Sequence, residues 1–203
     1  MKKIQPKAIL FDMDGVLIDS LEAWWISLNT ALAKYNYKKI SKNEFIKRYW
    51  GHDLFDNLKS MNIPYKVGTF CNNIYYENVN RIKIYQDTKY VLDKLKHYKK
   101  SIITNTPKDC TIQILKKFEI AKYFNLVLTS SDVKTAKPSP EIVFKTCIRL
   151  GVNPEDVVLV GDTNSDVESG KAAGCNVIGI KVEADYTIDN IKQLLDIIEI
   201  KNI

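Results

Sequence analysis

Two aspartates two residues apart close the first apolar run of the chain, in Phe11-Asp12-Met13-Asp14-Gly15. Another pair closes a later run, in Gly161-Asp162-Thr163-Asn164-Ser165-Asp166. Carboxylates crowded into a small space repel until one of them takes a proton, unless a cation stands between them. Hard oxygen donors favour Mg²⁺, which takes one or two carboxylates and keeps part of its water shell. Such a cation leaves positions open for a phosphate oxygen. Gly15 has no Cβ, so backbone can come close to the site. A third run, Ile102-Ile103, ends in Thr104-Asn105-Thr106. Lys137 precedes Pro138-Ser139-Pro140-Glu141, where the proline rings restrict the backbone and aim the lysine consistently. One aspartate after a strand is ordinarily a turn or helix-cap residue; two clusters with Thr104 point to phosphate chemistry at a cation. On residue type alone Lys137 belongs either to that chemistry or to the lysine surface.

These residues need a frame that brings distant stretches together. Short apolar runs at Lys7–Phe11, Ser101–Thr104, Leu126–Thr129, Val157–Val160 and Asn176–Ile180 are each bounded by turn or polar residues. They read as strands buried on both faces, as in a parallel sheet. Helical spacing links Val91, Leu92, Leu95 and Tyr98, then Ile112, Leu115 and Phe118, then Ile142, Val143, Thr146 and Leu150. Ser139 is expected as an N-cap with Pro140 at the first helical position, and Gly174 as the end of another helix. The alternation predicts an α/β fold, a doubly wound parallel-sheet (Rossmann-like) core. Ligands of such sheets bind beyond the carboxyl ends of the strands. Asp12, Asp14, Asp162 and Asp166 converge there if their strands are parallel neighbours.

Residues 19–84 break the alternation. Leu21, Trp24, Trp25, Leu28, Leu32 and Tyr35 trace one helical stripe. Ser41 and Glu44 predict a capping box that opens a second helix. Leu54, Leu58 and Met61 suggest a third, and Phe70, Ile74, Tyr75 and Val79 a fourth. The expected organisation is a core of residues 1–18 and 85–203 with a helical-bundle cap inserted at 19–84.

With the motifs in this order, the chain resembles the haloacid dehalogenase (HAD) superfamily, in its helical-cap, phosphoglycolate phosphatase-like subgroup. DMDG at Asp12–Gly15 resembles the first motif, Thr104 in IITN the second, Lys137 in KPSPE the third and GDTNSD at Gly161–Asp166 the fourth. The resemblance implies a Mg²⁺-dependent phosphatase working through an aspartyl-phosphate. Asp12 would be the nucleophile, and Asp14 the acid and then the base. Asp12, the backbone carbonyl of Asp14, Asp162 and Asp166 would hold the metal. Thr104, Lys137 and in addition Asn105 would bind the phosphate. Dehalogenases and phosphonatases lack an acid equivalent to Asp14, so Asp14 argues for phosphate chemistry. Val16 stands where many phosphatases have Thr; valine there is also common in sugar-phosphate mutases.

In the resembling family a cap loop reaches the active site and sets specificity. The stretch Arg48-Tyr49-Trp50-Gly51-His52 occupies that place. Arg48 or His52 would read a second anionic group such as a carboxylate, with Trp50 beside them. The alternative is that Tyr49 and Trp50 pack between cap helices while Arg48 faces solvent. Trp24 and Trp25 lie about 100° apart on a helix, so at most one faces the pocket, and both are expected in the cap core. His97 is expected at the surface.

At 203 residues, 45% hydrophobic and 27% charged, the chain suits one globular domain, or one with a second inserted. No run approaches the about 20 apolar residues of a membrane span. The basic Met1–Lys7 precedes an apolar run that stops at Asp12, too short for a signal-peptide core. Cys71, Cys110, Cys147 and Cys175 show no metal-ligand or redox spacing, so they read as reduced core residues of a cytoplasmic protein. The net charge is +6, yet only Arg48, Arg81 and Arg149 are arginines, which suits a solvated lysine surface able to attract anionic substrates. The expectation is a phosphatase for a small phosphorylated metabolite, monomeric or homodimeric, with no membrane partner. Its alternatives are a sugar phosphomutase, an inorganic pyrophosphatase and, outside enzymes, a Lys-rich nucleic-acid-binding protein.

Overall fold

A computed structural model describes residues 3–200. The outermost residues of the expected core, 1–2 and 201–203, and with them part of the basic Met1–Lys7 stretch, lie outside the described residues. The chain begins with β1 (Ala8–Phe11) and later contributes β4 (Lys99–Thr104), β5 (Leu126–Thr129), β6 (Val157–Gly161), β7 (Asn176–Ile180) and β8 (Tyr186–Ile188). These form one parallel sheet in the order β5-β4-β1-β6-β7-β8. Side chains alternate across it, as the period of a strand requires. Ile9, Phe11, Ile102, Val158 and Val160 face one apolar cluster, and Ala8, Leu10, Ile103, Val157 and Leu159 the other.

Helices cover both faces. On the first pack α5 (Thr88–Lys94), α6 (Lys108–Phe118) and α9 (Leu194–Ile197). On the second pack α7 (Glu141–Leu150) and α8 (Asn164–Ala173). This is the doubly wound α/β fold that the alternation predicts. Short strand β8 escapes the apolar-run reading because Tyr186-Thr187-Ile188 carries too little pattern. Helix α7 opens one residue late: Pro140 holds the cap position, and Ser139 Oγ accepts the Glu141 N–H at 3.3 Å.

Between β1 and α5 the chain leaves the sheet through β2 (Ile18–Asp19) and returns through β3 (Lys83–Ile84), which pair antiparallel. The excursion holds α1 (Leu21–Lys34), α2 (Lys42–Arg48), α3 (Leu54–Ser60) and α4 (Tyr65–Glu77). Leu28, Leu32, Phe45, Leu58, Val67 and Cys71 give it an apolar cluster of its own. Only half of the expected capping box forms. Ser41 Oγ accepts the Glu44 N–H at 3.1 Å, while the Glu44 carboxylate lies 3.8 Å from Arg48 one turn on. All four cysteines are buried and free, and His97 is exposed. Among the described residues no helix is long and apolar enough to cross a membrane.

Helix α8 lies so close to the sheet that a Cβ on Gly170 would sit 2.6 Å from Val177 Cγ2 and 3.3 Å from Leu159 Cδ1. Gly170→Ala should therefore lower stability. Overpacking of this kind costs about 1–3 kcal/mol, of which better helix propensity returns about 1 kcal/mol. Denaturant unfolding that shows an equal or higher midpoint would mean that α8 can lift off the strands without loss.

Candidate active site

Parallel register is what assembles the site. Phe11 stands level with Ile102 on one side and Val160 on the other. The three strands therefore end near one level at the carboxyl end of the sheet, β1 at Phe11, β6 at Gly161 and β4 at Thr104. Asp12 is anchored there by its N–H to Val160 O at 2.9 Å. Asp12, Asp162 and Asp166 each place a carboxylate oxygen within 4.8 Å of the others.

Lys137 enters this cluster almost fully buried, at 2% exposure. Its ammonium donates to Asp12 Oδ1 at 2.8 Å, Asp166 Oδ1 at 2.6 Å and Ile103 O at 3.0 Å, which uses all three protons. Burial works against the charge, but the two carboxylates outweigh it and hold the lysine above its ordinary pKa. Asp12 is pushed well above the usual carboxylate range by burial, with repulsion from Asp166, Asp162 and Asp14 added and attraction to Lys137 opposing. Burial, then repulsion from Asp166, pushes Asp162 up to about 7. Asp166 lies in the first turn of α8, and its Oδ2 accepts the hydroxyl at 2.7 Å and the N–H at 3.2 Å of the N-cap residue Thr163, closing a capping box.

The donor set fits a divalent cation. With all three carboxylates ionised, one ammonium would leave two negative charges uncompensated, the charge a divalent cation supplies. Asp162 Oδ1 is buried with no hydrogen-bond partner, a costly state for a polar atom. All the donors are hard oxygens, the kind Mg²⁺, Mn²⁺ and Ca²⁺ prefer. Gly15, at φ +82°, admits Asp162 to the turn after β1, where a Cβ would lie 2.0 Å from Asp162 Oδ2.

Asp14 is held apart from the trio. Its Oδ1 accepts from Ser20 Oγ and from Tyr75 OH at 3.2 Å. Its Oδ2 accepts from Thr106 Oγ1 at 2.7 Å and Thr104 Oγ1 at 3.3 Å. Sequence reasoning did not single out Ser20, Tyr75 or Thr106. Thr106 follows Thr104 at the strand period, a signal that could have found it; Tyr75 carries none, because it reads as one more apolar face residue of α4.

The remaining sequence-derived candidates divide. Asn105 is no free donor: its Nδ2 bonds Gly51 O at 3.2 Å and Lys137 O at 3.0 Å, and its Oδ1 accepts the Lys137 N–H at 3.0 Å. Its side chain places Lys137. Arg48 is turned away, with its side chain 71% exposed beside Glu44, because it sits in the last turn of α2 on the face opposite the apolar cluster. Trp50 and His52 do reach the site, with Trp50 Nε1 3.0 Å from Asp162 Oδ2 and His52 Nδ1 3.1 Å from Ser165 Oγ. Trp50 also packs with the cluster of the helical segment. Both tryptophans pack against the cluster of the helical segment, as expected; Trp24 also lines the site and stacks on Tyr75 at 3.8 Å, whereas Trp25 bonds Ile40 O. The cavity lined by Asp12, Asp14, Lys137, Trp24, Trp50 and His52 measures about 60 Å³ and is partly open to solvent.

Residues 9–180 match the model of the haloacid dehalogenase-like hydrolase family. The chain belongs to that family and is a hydrolase. It is 31% identical to a phosphoglycolate phosphatase of Haemophilus influenzae, over 91% of this chain and 89% of that one. It is also 31% identical to the pyrophosphatase PpaX of Bacillus velezensis, over 96% and 97%. A HAD-superfamily hydrolase of subfamily IA, variant 1, from Geobacter sulfurreducens superposes with a TM-score of 0.77 at 25% identity, covering 94% of this chain and 98% of that one.

A cation in this cluster would stabilise the folded state by mass action, about 2.7 kcal/mol at one hundred times its dissociation constant. Thermal unfolding should therefore move upward with added Mg²⁺ or Mn²⁺. Asp162→Asn should remove most of that increment. A melting curve indifferent to either ion at tens of millimolar would mean that the three carboxylates hold no cation.

Proposed function

We propose that this hydrolase is a Mg²⁺-dependent phosphatase of small phosphate esters, acting through an aspartyl-phosphate on Asp12. The observation that carries the reading is the separation of two carboxylates that are neighbours in sequence. Asp12 faces Lys137 and the acidic cluster, while Asp14 faces four hydroxyls. Different surroundings give paired carboxylates different work.

An oxygen of Asp12 attacks phosphorus, and the bond from phosphorus to the ester oxygen breaks with its electron pair on the leaving oxygen. Asp14 gives that oxygen a proton, and the alcohol departs. Asp14, now a carboxylate, takes a proton from water as the water oxygen attacks phosphorus. The bond between phosphorus and the Asp12 oxygen breaks, releasing inorganic phosphate and restoring both residues. Lys137 balances the charge of Asp12 and the transferring group, and the hydroxyl of Thr104 is placed to turn toward a phosphate oxygen. Mg²⁺ would be held by Asp12, Asp162 and Asp166, with the Asp14 main-chain carbonyl that the resemblance adds, and would supply charge neutralisation to the phosphoryl group. Phosphoryl transfer asks little more than such positioning and neutralisation.

Residues 19–84 act in this reading as a cap over a core of 1–18 and 85–203. A cavity of about 60 Å³ favours small substrates over extended ones. Phosphoglycolate is the first candidate. The only basic side chain from the cap that lines the cavity is His52, so it replaces Arg48 as the group to meet a carboxylate. Pyrophosphate is the second candidate, supported by the PpaX relative at equal identity.

Two substitutions test the chemistry. Asp12→Asn should fold normally and retain less than about one hundredth of wild-type turnover, since an amide is a poor nucleophile. Asp14→Asn should lose about 10²–10⁴-fold on alkyl phosphates, the range for one acid–base group. On an aryl phosphate, whose leaving group needs less protonation, the first half-reaction should be partly spared while hydrolysis stays slow. Quenched mass spectrometry should then find phosphate on the peptide bearing Asp12. Equal losses on both substrates with no trapped phosphate would remove Asp14 from the acid–base role.

A further inference from the structure

The carboxylate of Asp162 has an asymmetric environment. Its Oδ2 accepts the indole N–H of Trp50 at 3.0 Å, whereas its Oδ1 is buried and unpartnered. Among the described residues Trp50 is the only hydrogen-bond donor to this carboxylate. On the other side lies the turn at Gly15, close enough that a Cβ would strike Oδ2. The carboxylate is thus held through one oxygen while the other is buried without a partner, and the group lies within 4.8 Å of the Asp12 and Asp166 carboxylates.

Trp50 belongs to the helical segment, not to the sheet, and its contact is one of several made by consecutive residues. Gly51, at φ +83°, rests on Thr163, where a Cβ would lie 2.5 Å from Cγ2. Its carbonyl accepts from Asn105 Nδ2 at 3.2 Å, and His52 Nδ1 meets Ser165 Oγ at 3.1 Å. Residues 50–52 therefore dock along the 162–165 loop. Behind the indole, Phe45 packs edge-on at 6.1 Å, and the main-chain N–H of Trp50 donates to Phe45 O at 2.9 Å. The ring is supported from its own side before it reaches Asp162.

We propose that Trp50 is a positioning residue for Asp162, so that the helical segment completes the cation site of the core. This rests on the reading of Asp162 as a cation ligand. An indole N–H is a donor only and does not ionise in water. It fixes the plane of the carboxylate and occupies one oxygen, leaving the other for the metal. Hydrogen bonds of this outer kind orient ligating carboxylates, and losing one commonly weakens metal binding 10–100-fold. Linkage makes the effect reciprocal: if docking of residues 50–52 strengthens cation binding, the cation strengthens docking by the same factor.

The test is Trp50→Phe, which keeps a ring against Phe45 and removes the N–H. Free Mn²⁺ is counted by electron paramagnetic resonance without substrate, with Mg²⁺ as competitor and Asp162→Ala as control. Asp162→Ala should abolish tight binding. Trp50→Phe should weaken it about 10-fold or more, with melting in chelator little changed. In the wild type, Mg²⁺ should slow amide exchange at residues 50–53, and the indole N–H resonance of Trp50 should shift on its addition. These two wild-type measurements stand even if the variant folds poorly, and the absence of both responses overturns the proposal. Unchanged or tighter Mn²⁺ binding in Trp50→Phe, with Asp162→Ala impaired, overturns the role of Trp50 and leaves the cation site standing. Binding untouched by Asp162→Ala overturns the cation-ligand reading itself.

Discussion

Three carboxylates held within 4.8 Å of one another repel strongly where water cannot screen them, and the surrounding fold answers that repulsion. Lys137 neutralises part of it from within hydrogen-bonding distance of Asp12 and Asp166. A buried ammonium is itself costly unless every proton finds an acceptor, and here the carbonyl of Ile103 takes the last one. The lysine backbone is pinned in turn by the Asn105 amide from the neighbouring strand end. Asp166 is further held by the capping box it forms with Thr163, so the first turn of α8 and the acidic cluster share one residue. None of these contacts forms unless β4, β1 and β6 lie side by side in parallel register.

The same edge of the sheet produces the contrast between Asp12 and Asp14. Residues two apart on a strand share a face, which would bring both carboxylates into the cluster and worsen the repulsion. The chain avoids this by ending β1 at Phe11 and turning through Gly15. The turn delivers Asp14 to hydroxyls drawn from three places: Ser20 at the entrance to the helical segment, Tyr75 on α4, and Thr104 and Thr106 at the end of β4. Neutral donors can accommodate either a carboxylate or a carboxylic acid by rotating, which an ammonium cannot do. That freedom is what an acid that later becomes a base requires.

How legible all this was in the sequence follows from the range of each interaction. The central strands were legible because burial on both faces gives uninterrupted apolar runs, as in Val157–Val160. The ribbon β2–β3 was not, since two residues per strand carry no period. Asp12, Asp162, Asp166 and Lys137 stood out because each ends or precedes a structured run. Arg48 misled because a basic residue near a loop looks like a ligand reader, and only its partner Glu44, a turn earlier, shows which way it points. Tyr75 was hidden for a different reason. It follows the apolar stripe of α4, but that stripe continues past the helical segment into the apolar cluster of the sheet, and only the fold reveals that its hydroxyl meets Asp14.

That continuation divides the helical segment into two zones. At its root, Trp24, Tyr75 and Val79 pack into the apolar cluster beneath the sheet face, with the β2–β3 ribbon beside them. At its tip, residues 50–52 meet the core through a handful of polar contacts to Asp162, Ser165 and Asn105. Apolar burial at the root is worth about 1.5–3 kcal/mol per large side chain, and undoing it means exposing several at once. Each polar contact at the tip contributes only about 0.5–1.5 kcal/mol net, because water takes over the freed groups. Separating the tip therefore costs less than undoing the root. The contact of Tyr75 with Asp14 therefore rests on the zone that is costly to undo, and the contact of Trp50 with Asp162 on the zone that is not.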